Sequence, residues 1–291
     1  MLIERIRERW HPLHNIRKVA LFRAALSAVD IAVWGRLDGI KHPVRMRLAR
    51  NLSYLLLRNS TEPGIIALFL AVNKVFTPRT FWDVGANIGY YGWLLKSQRP
   101  QIEITLFEPD PINLSLIEET RQWAGPGVRV VPSAVSSQNG EAIFASDGVS
   151  GATGSLEASG KAFVGRHYGV SPGSLVVQTV TLDTIRLQAK PVEFMKIDVE
   201  GHEAAVIKGA EFVLDTDMPV LIFESFHQDA RVFEALRNRG YCLFDAERMS
   251  AEVSRGTNFL ALPPRLASRA AEVAEVWRHE LQLWHGQSSA R

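Results

Sequence analysis

The stretch FWDVGANIGYYG, residues 81–92, runs from apolar residues into an acid and then packs three glycines and an asparagine into eight positions. Its apolar start reads as a strand and the residues from 89 to 98 as a helix, so the glycines fall on the turn between them. In an open α/β sheet that turn, at the carboxyl end of a strand, is where ligands bind. A triphosphate-binding loop needs G-x-x-x-x-G-K-[ST], and neither the lysine nor the hydroxyl stands at its place. A dinucleotide loop needs G-x-G-x-x-G, but counted from Gly85 the next two positions hold Asn87 and Tyr90. Asp83, at the strand end, repels phosphate and suits a ligand with an amino group. The segment LFEPDP then puts Glu108 at the end of the next strand, 25 residues after Asp83. An acid there accepts both ribose hydroxyls. Loop and acid together describe a nucleoside with a cationic, phosphate-free extension, which is the shape of S-adenosylmethionine.

Outward from this stretch, strands and helices alternate. Strand candidates are 80–84, 103–109, 128–135, 192–199, 219–225, 241–245 and 258–262, with helices expected at 89–98, 111–123, 202–214 and 228–239. That rhythm predicts a mostly parallel, doubly wound sheet covered on both faces. The last two strands have no helix between them, so a closing hairpin with one antiparallel strand is expected. Residues 136–190 interrupt the pattern with SDGVSGATGSLEASG and read as a mobile excursion over one sheet edge. Helices are expected at 16–34 and 44–59, STEPG punctuates 60–64, and the tail after LPPR reads as one amphipathic helix. The expected division is a basic, helical extension over 1–60, a ligand-binding domain over 61–262 and a C-terminal helix over 263–291.

Totals exclude several classes. With 291 residues, 46% hydrophobic and 22% charged, the chain is ordinary for a globular protein, and its net charge of +2 demands no nucleic acid. The charge is uneven: residues 1–50 hold 11 Lys+Arg against 4 Asp+Glu. A solvated helical face is the plain reading, and peripheral contact of these basic helices with anionic membrane is the other. Cys242 is the single cysteine, so an intrachain disulfide and a thiolate-rich metal site are excluded; its apolar run GYCLFD suggests a buried structural thiol. The charged N-terminus lacks a signal-peptide core, and a cytoplasmic location is expected.

Six ordered blocks, DVGANIGYYG, FEPDP, SAVS, TLDTI, FMKIDVEGHEAAVIKGA and NFLAL, resemble the FkbM family of S-adenosylmethionine-dependent methyltransferases. The resemblance covers about residues 60–262. It implies the class I methyltransferase fold, a Rossmann-like seven-stranded sheet with one antiparallel strand. It also implies methyl transfer to an oxygen of a sugar, polyketide or similar small-molecule or glycan acceptor. Carried over by position, Asp83, Gly85, Asn87 and Gly89 shape the methionine pocket, Glu108 holds the ribose, and Asp110, Ala134 and Val135 border the adenine. Glu62, Ala86, Pro109 and Asp198 complete the candidate cofactor contacts.

The segment EFMKIDVEGHE, 193–203, is the second constellation. Strand alternation puts Lys196, Asp198 and Glu200 on one side, and burying them without partners would be costly, so they belong at the open mouth of the sheet. Methyl transfer needs an aligned hydroxyl whose proton leaves. Asp198 is the first candidate for that role, with Glu200, His202 and Glu224 as competitors; His227 also ends near the mouth. His202 could equally be a helix cap, and Glu203 a first-turn acid. No residue pattern requires a metal. A catalytically weak scaffold subunit and a nicotinamide-dependent oxidoreductase are the rival readings.

Overall fold

A computed structural model describes residues 29–57, 62–146, 154–156, 173–225, 228–251, 253 and 256–289. A hairpin opens the described chain, β1 (Ala32–Gly35) pairing antiparallel with β2 (Val44–Arg47). Helices α1 (Leu52–Leu57) and α2 (Pro63–Phe76) follow, then β3 (Thr80–Val84), α3 (Tyr90–Gln98), β4 (Glu103–Phe107), α4 (Pro111–Ala124) and β5 (Val128–Val131). A small second sheet is made by β6 (Ala134–Val135), β7 (Gly140–Ser146) and β8 (Gly173–Val180). The chain continues through α5 (Leu182–Arg186), β9 (Phe194–Ile197), α6 (Glu203–Lys208), α7 (Glu211–Thr216), β10 (Val220–Glu224), α8 (Ala230–Asn238), β11 (Cys242–Asp245), β12 (Asn258–Leu262) and α9 (Ala270–Ser289).

The main sheet has seven strands in the order β11-β12-β10-β9-β3-β4-β5. Strand β12 is antiparallel to both of its neighbours, and every other pairing among β10, β9, β3, β4 and β5 is parallel. The doubly wound sheet with one antiparallel strand is therefore present as expected. Side-chain alternation divides the core between two faces. Phe81, Phe194, Ile222 and Leu260 lie on one, with Phe69 of α2 and Val273 and Trp277 of α9. Trp82, Met195, Phe223 and Phe259 lie on the other, with Val206 of α6 and Phe233 of α8. By the same parity Asp83, Lys196, Asp198, Glu224 and Asn258 fall on the α2 face, at the carboxyl ends of the parallel strands. The backbone register strengthens this, setting Asp83 opposite Lys196 and Glu224 opposite Asn258.

Helix α2 is apolar nearly all round because both its sides are covered. Phe69 stacks on Tyr91 at 4.2 Å and meets Phe194 at 5.1 Å on the sheet side. Helix α9 packs along α2, where Trp277 Nε1 donates to the Gly64 carbonyl at 2.9 Å and Lys74 pairs with Glu280 at 2.6 Å. No helix among the described residues is long and apolar enough to cross a membrane.

Several expectations are corrected. The helices expected at 16–34 and 44–59 give way to strands where they can be described: β1 takes 32–35 and β2 takes 44–47, and only 52–57 is helical. Alternating burial of Val44 and Met46 against the core overrides helical spacing there, and the Asn51 side chain stops the strand by accepting the Arg47 amide at 2.8 Å. Residues 1–28 lie outside the described residues. The strand expected at 128–135 breaks at Pro132, which has no N–H to continue the ladder. Within the excursion 136–190 the described residues form a sheet: β7 and β8 pair over seven residues, Gly140 opposite Thr179 to Ser146 opposite Gly173. The expected helix 202–214 is two, α6 and α7, parted at Gly209, where a Cβ would come 2.1 Å from the Ser136 carbonyl oxygen. Cys242 is exposed rather than buried, because alternation on the outer strand β11 turns Leu243 inward instead.

Replacing Phe69 by alanine removes the ring on which Tyr91, Phe81 and Phe194 meet. The expected loss is about 3–5 kcal/mol of unfolding free energy, read from the midpoint of urea denaturation.

Candidate functional site

The glycine loop is shaped by a close approach. Gly85 has φ +81°, and a Cβ on it would lie 1.9 Å from the Asp198 carbonyl oxygen, so no side chain fits. The amides of Gly85 and Ala86 both donate to the Phe107 carbonyl, at 3.1 and 2.9 Å, folding the loop over the end of β4. Asn87, at φ +53°, turns its amide to Glu108, 2.8 Å away. Gly89 caps α3 at φ +81°, where a Cβ would strike the Trp93 indole.

Glu108 ties this loop to the next. Its carboxylate also accepts the Asp110 amide at 2.9 Å and the Asn113 side-chain amide at 3.3 Å. Asp110 caps α4 by accepting the Ile112 amide at 2.8 Å. Between the loops opens a cleft, and Gly85, Asn87, Glu108, Pro109 and Asp110 line one wall. Ala134, Val135, Phe144 and Leu156 give it an apolar side; Asp198, Glu200 and His202 close it. The Gly154–Leu156 strand-like segment is held there by a two-way bridge between Ser155 and Ala145 and by the Ser155 hydroxyl donating to the Glu200 carbonyl at 2.8 Å.

A second, much smaller cavity, with room for about one water, lies on the α2 face. Glu62, Tyr91, Lys196, Asp198, Glu224 and Asn258 line it, so Asp198 borders both spaces. The Lys196 ammonium is buried, 2.8 Å from the Asp198 carboxylate and 5.2 Å over the Tyr91 ring. Burial opposes its charge, but Asp198 and Asp83 hold its pKa above the usual range. Burial would likewise raise Asp198, yet the ion pair with Lys196 and a hydrogen bond from Glu224 hold its carboxyl below the ordinary carboxylate range. Glu224 moves the other way: burial, then the charges of Asp198 and Glu200, push it well up, so it carries the proton of the pair. Asp198, Glu200 and Glu224 offer oxygens within 4.8 Å of one another.

The predicted residues thus divide. Gly85, Asn87, Glu108, Pro109, Asp110, Ala134, Val135, Asp198, Glu200 and His202 border the larger cleft; Glu62, Asp198 and Glu224 border the smaller. Asp83, Ala86 and Gly89 border neither: Ala86 is packed in the core, Gly89 turns the chain into α3, and Asp83 lies buried beside Lys196. His202 sits at the start of α6 without capping it, its Nε2 instead 2.9 Å from the Ser136 hydroxyl. Glu203 does serve the turn, accepting the Gly201 amide at 3.0 Å. His227 lies outside the described residues. Sequence reading missed Tyr54, Tyr91 and Asn258. The first stands on α1, where burial and then Glu62 push its hydroxyl pKa up; Asn258 faces Glu224 across the antiparallel pairing of β10 with β12, strands separated in sequence by α8 and β11.

The larger cleft fits a sulfonium nucleoside. The Asn87 side-chain oxygen lies at this cleft and is buried without a hydrogen-bond partner, an acceptor suited to the N–H groups of a bound cation. Burial raises the Asp83 pKa to about 6 and that of Glu108 from 4.5 to about 8. A carboxyl raised by folding destabilises the folded state as pH climbs from its unfolded value through its folded one. The ligand-free protein should therefore lose stability between about pH 4.5 and pH 8. In urea titrations at the two ends of that window, Glu108→Gln should show a smaller loss than the wild type.

The sequence profile of the Methyltransferase FkbM domain matches residues 83–243, more than half of the chain. The hexuronic acid methyltransferase AglP of Haloferax volcanii is 30% identical over 151 residues, which cover 51% of this chain and 56% of AglP. The chain thus spans about half the length of that curated relative. Among solved structures, the methyltransferase FkbM from Methylobacillus flagellatus aligns with a TM-score of 0.43 and 17% identity, over 63% of this chain and 43% of that one. Human methyltransferase-like protein 13, in complex with SAH, aligns with a TM-score of 0.41 and 14% identity, over 76% and 89%. The glycine loop and Glu108 lie inside the matched span, and the chain belongs to the FkbM family of methyltransferases.

Proposed function

We propose that this protein methylates a hydroxyl oxygen of a sugar-type acceptor, with Asp198 as the group that receives the hydroxyl proton. The observation that carries the reading is that Asp198 borders both cavities, one shaped for a nucleoside and one lined by polar groups. The relative AglP, whose name gives a hexuronic acid as its substrate, supports a sugar-type acceptor.

In the larger cleft Glu108 would hold the ribose hydroxyls, Gly85 and Asn87 the amino-acid end, and Ala134 and Val135 the base. S-adenosylmethionine supplies a methyl group on a sulfonium, ready for in-line displacement. The chain's own work is alignment and proton handling. Glu62, Glu224 and Asn258, which line the smaller cavity on the other side of Asp198, would accept and donate hydrogen bonds to the one acceptor hydroxyl presented to Asp198. Lys196 keeps Asp198 ionised, so an acceptor hydroxyl beside it has a carboxylate to donate to. Glu224, already protonated, donates to Asp198 and does not compete for the proton. Glu200 and His202 border the cleft on the same side and fall to a positioning role.

Asp198→Asn keeps the side-chain shape but not the basicity. Turnover should fall by about 10²–10⁴, while affinity for S-adenosylhomocysteine by titration calorimetry stays within severalfold; unchanged turnover on a sugar acceptor panel would remove Asp198 from the role. Glu108→Ala should weaken binding of S-adenosylhomocysteine by roughly 1–3 kcal/mol in the same titration, through lost hydrogen bonds to the ribose hydroxyls.

A further inference from the structure

We propose that Glu224 relays the proton: when Asp198 takes the acceptor's hydroxyl proton, Glu224 gives its own to water and replaces Asp198 as the partner of Lys196. This rests on the reading of Asp198 as the receiving group. Strand register brings the three side chains together. Ile222 of β10 stands opposite Lys196 of β9, so Glu224, two residues on, points to the same side of the sheet and ends level with Asp198. All three line the smaller cavity, and oxygens of Asp198 and Glu224 lie within 4.8 Å of each other. Among the described residues Lys196 makes its ion pair with Asp198 alone. Across from Glu224 on β12 stands Asn258, a neutral amide, so that side offers Glu224 no cation.

A proton landing on Asp198 strips the buried ammonium of its partner, and a buried charge without a partner is costly. It also takes away a negative charge that holds the proton on Glu224. Both effects drive one exchange. The acceptor's O–H bond breaks as its oxygen gains the methyl group, and Asp198 gains the proton. The Glu224 O–H bond then breaks, its proton passes to water at the half-buried end of β10, and the new carboxylate pairs with Lys196, on whose charge it already acts. When product leaves, Asp198 passes its proton to Glu224 along the hydrogen bond between them, and the first state returns. Lys196 thus faces one carboxylate of the pair throughout, and each turnover sends one proton to solvent. The other groups facing the pair take no part in the exchange. Glu200 after β9, Glu62 before α2 and Tyr91 of α3 lie near Glu224, and Asp83 of β3 and Tyr54 of α1 act on Lys196 and Asp198.

The test is an NMR titration of the full chain with heavy carbon in its glutamate carboxyls, the Glu224 signal being the one lost in Glu224→Gln. In the wild type that signal should keep its protonated position at neutral pH. Asp198→Asn copies the shape and charge of protonated Asp198, and there the Glu224 midpoint should fall by about 1–3 pH units, leaving it ionised at neutral pH. Asp198→Ala, a second neutral variant, should do the same. Adding Lys196→Met to Asp198→Asn should restore the proton, with cooperative urea unfolding showing that each variant is folded. An ionised Glu224 in the wild type overturns the proposal. So does a midpoint unmoved in both Asp198 variants, or one that stays low without Lys196. No acceptor is present, so these outcomes are independent of the turnover of Asp198→Asn, which decides whether Asp198 is the base.

Discussion

One buried ammonium holds the mouth of this sheet together. Lys196 stands on the central strand β9, opposite Asp83 of β3 and 2.8 Å from Asp198. Carboxylates so buried would repel one another and take up protons without it, since an ionised group loses most of its hydration there. With it, charge is shared unevenly: Asp198 stays ionised and Glu224 takes the proton. The lysine is itself held by more than charge, because the Tyr91 ring lies beneath it and Phe69 stacks on that ring. The hydrophobic face of α2 thus sets the position of the lysine on which the acidic mouth relies. Such a network adds little to stability compared with apolar replacement, and its retention is better explained by the work it does at the site.

A second constraint, steric rather than electrostatic, fixes where that mouth meets the glycine loop. Gly85 passes so near the Asp198 carbonyl that no larger residue fits. Asp198 in turn donates its amide to the Val84 carbonyl at 3.0 Å, so the two strand ends hold each other. Glu108 then fastens the loop after β3 to the loop after β4 by three hydrogen bonds. The cleft wall is therefore built before any ligand arrives, and the cost of ordering it is met on folding rather than on binding.

Much of this was legible in the sequence because the signals were local. Strand–helix alternation gave all seven strands of the main sheet and the closing hairpin, and the spacing of Asp83, Glu108 and Asp198 put each at the end of its strand. What escaped was decided by tertiary packing. Val44 and Met46 read equally well as one side of a helix, and burial against the main core made them a strand. The pairing of β7 with β8 joins segments separated by a Gly- and Ser-rich run, where local composition says loop. Asp83 stands at a strand end next to the loop in sequence, and alternation within a fully buried strand sets its side chain beside Lys196. Tyr54 and Asn258 reach the smaller cavity's surroundings from opposite ends of the chain, and no spacing rule links residues 204 positions apart.

The sheet order also explains why a single residue can serve both cavities. Strand β9 lies between β3 and β10, so whatever follows its carboxyl end adjoins the loop after β3 on one side and the end of β10 on the other. That position is the topological switch point, where chain connections leave in opposite directions and a crevice must open. The larger cleft uses the β3 and β4 side, and the smaller cavity uses the β10 and β12 side. Asp198, one residue past β9, stands where they meet. A carboxylate one strand over in either direction would reach one cavity and not the other. Under the proposed reading, the base belongs at this position for reasons of topology before any of chemistry: only there can a group touch the acceptor hydroxyl while the donor is held in line with it.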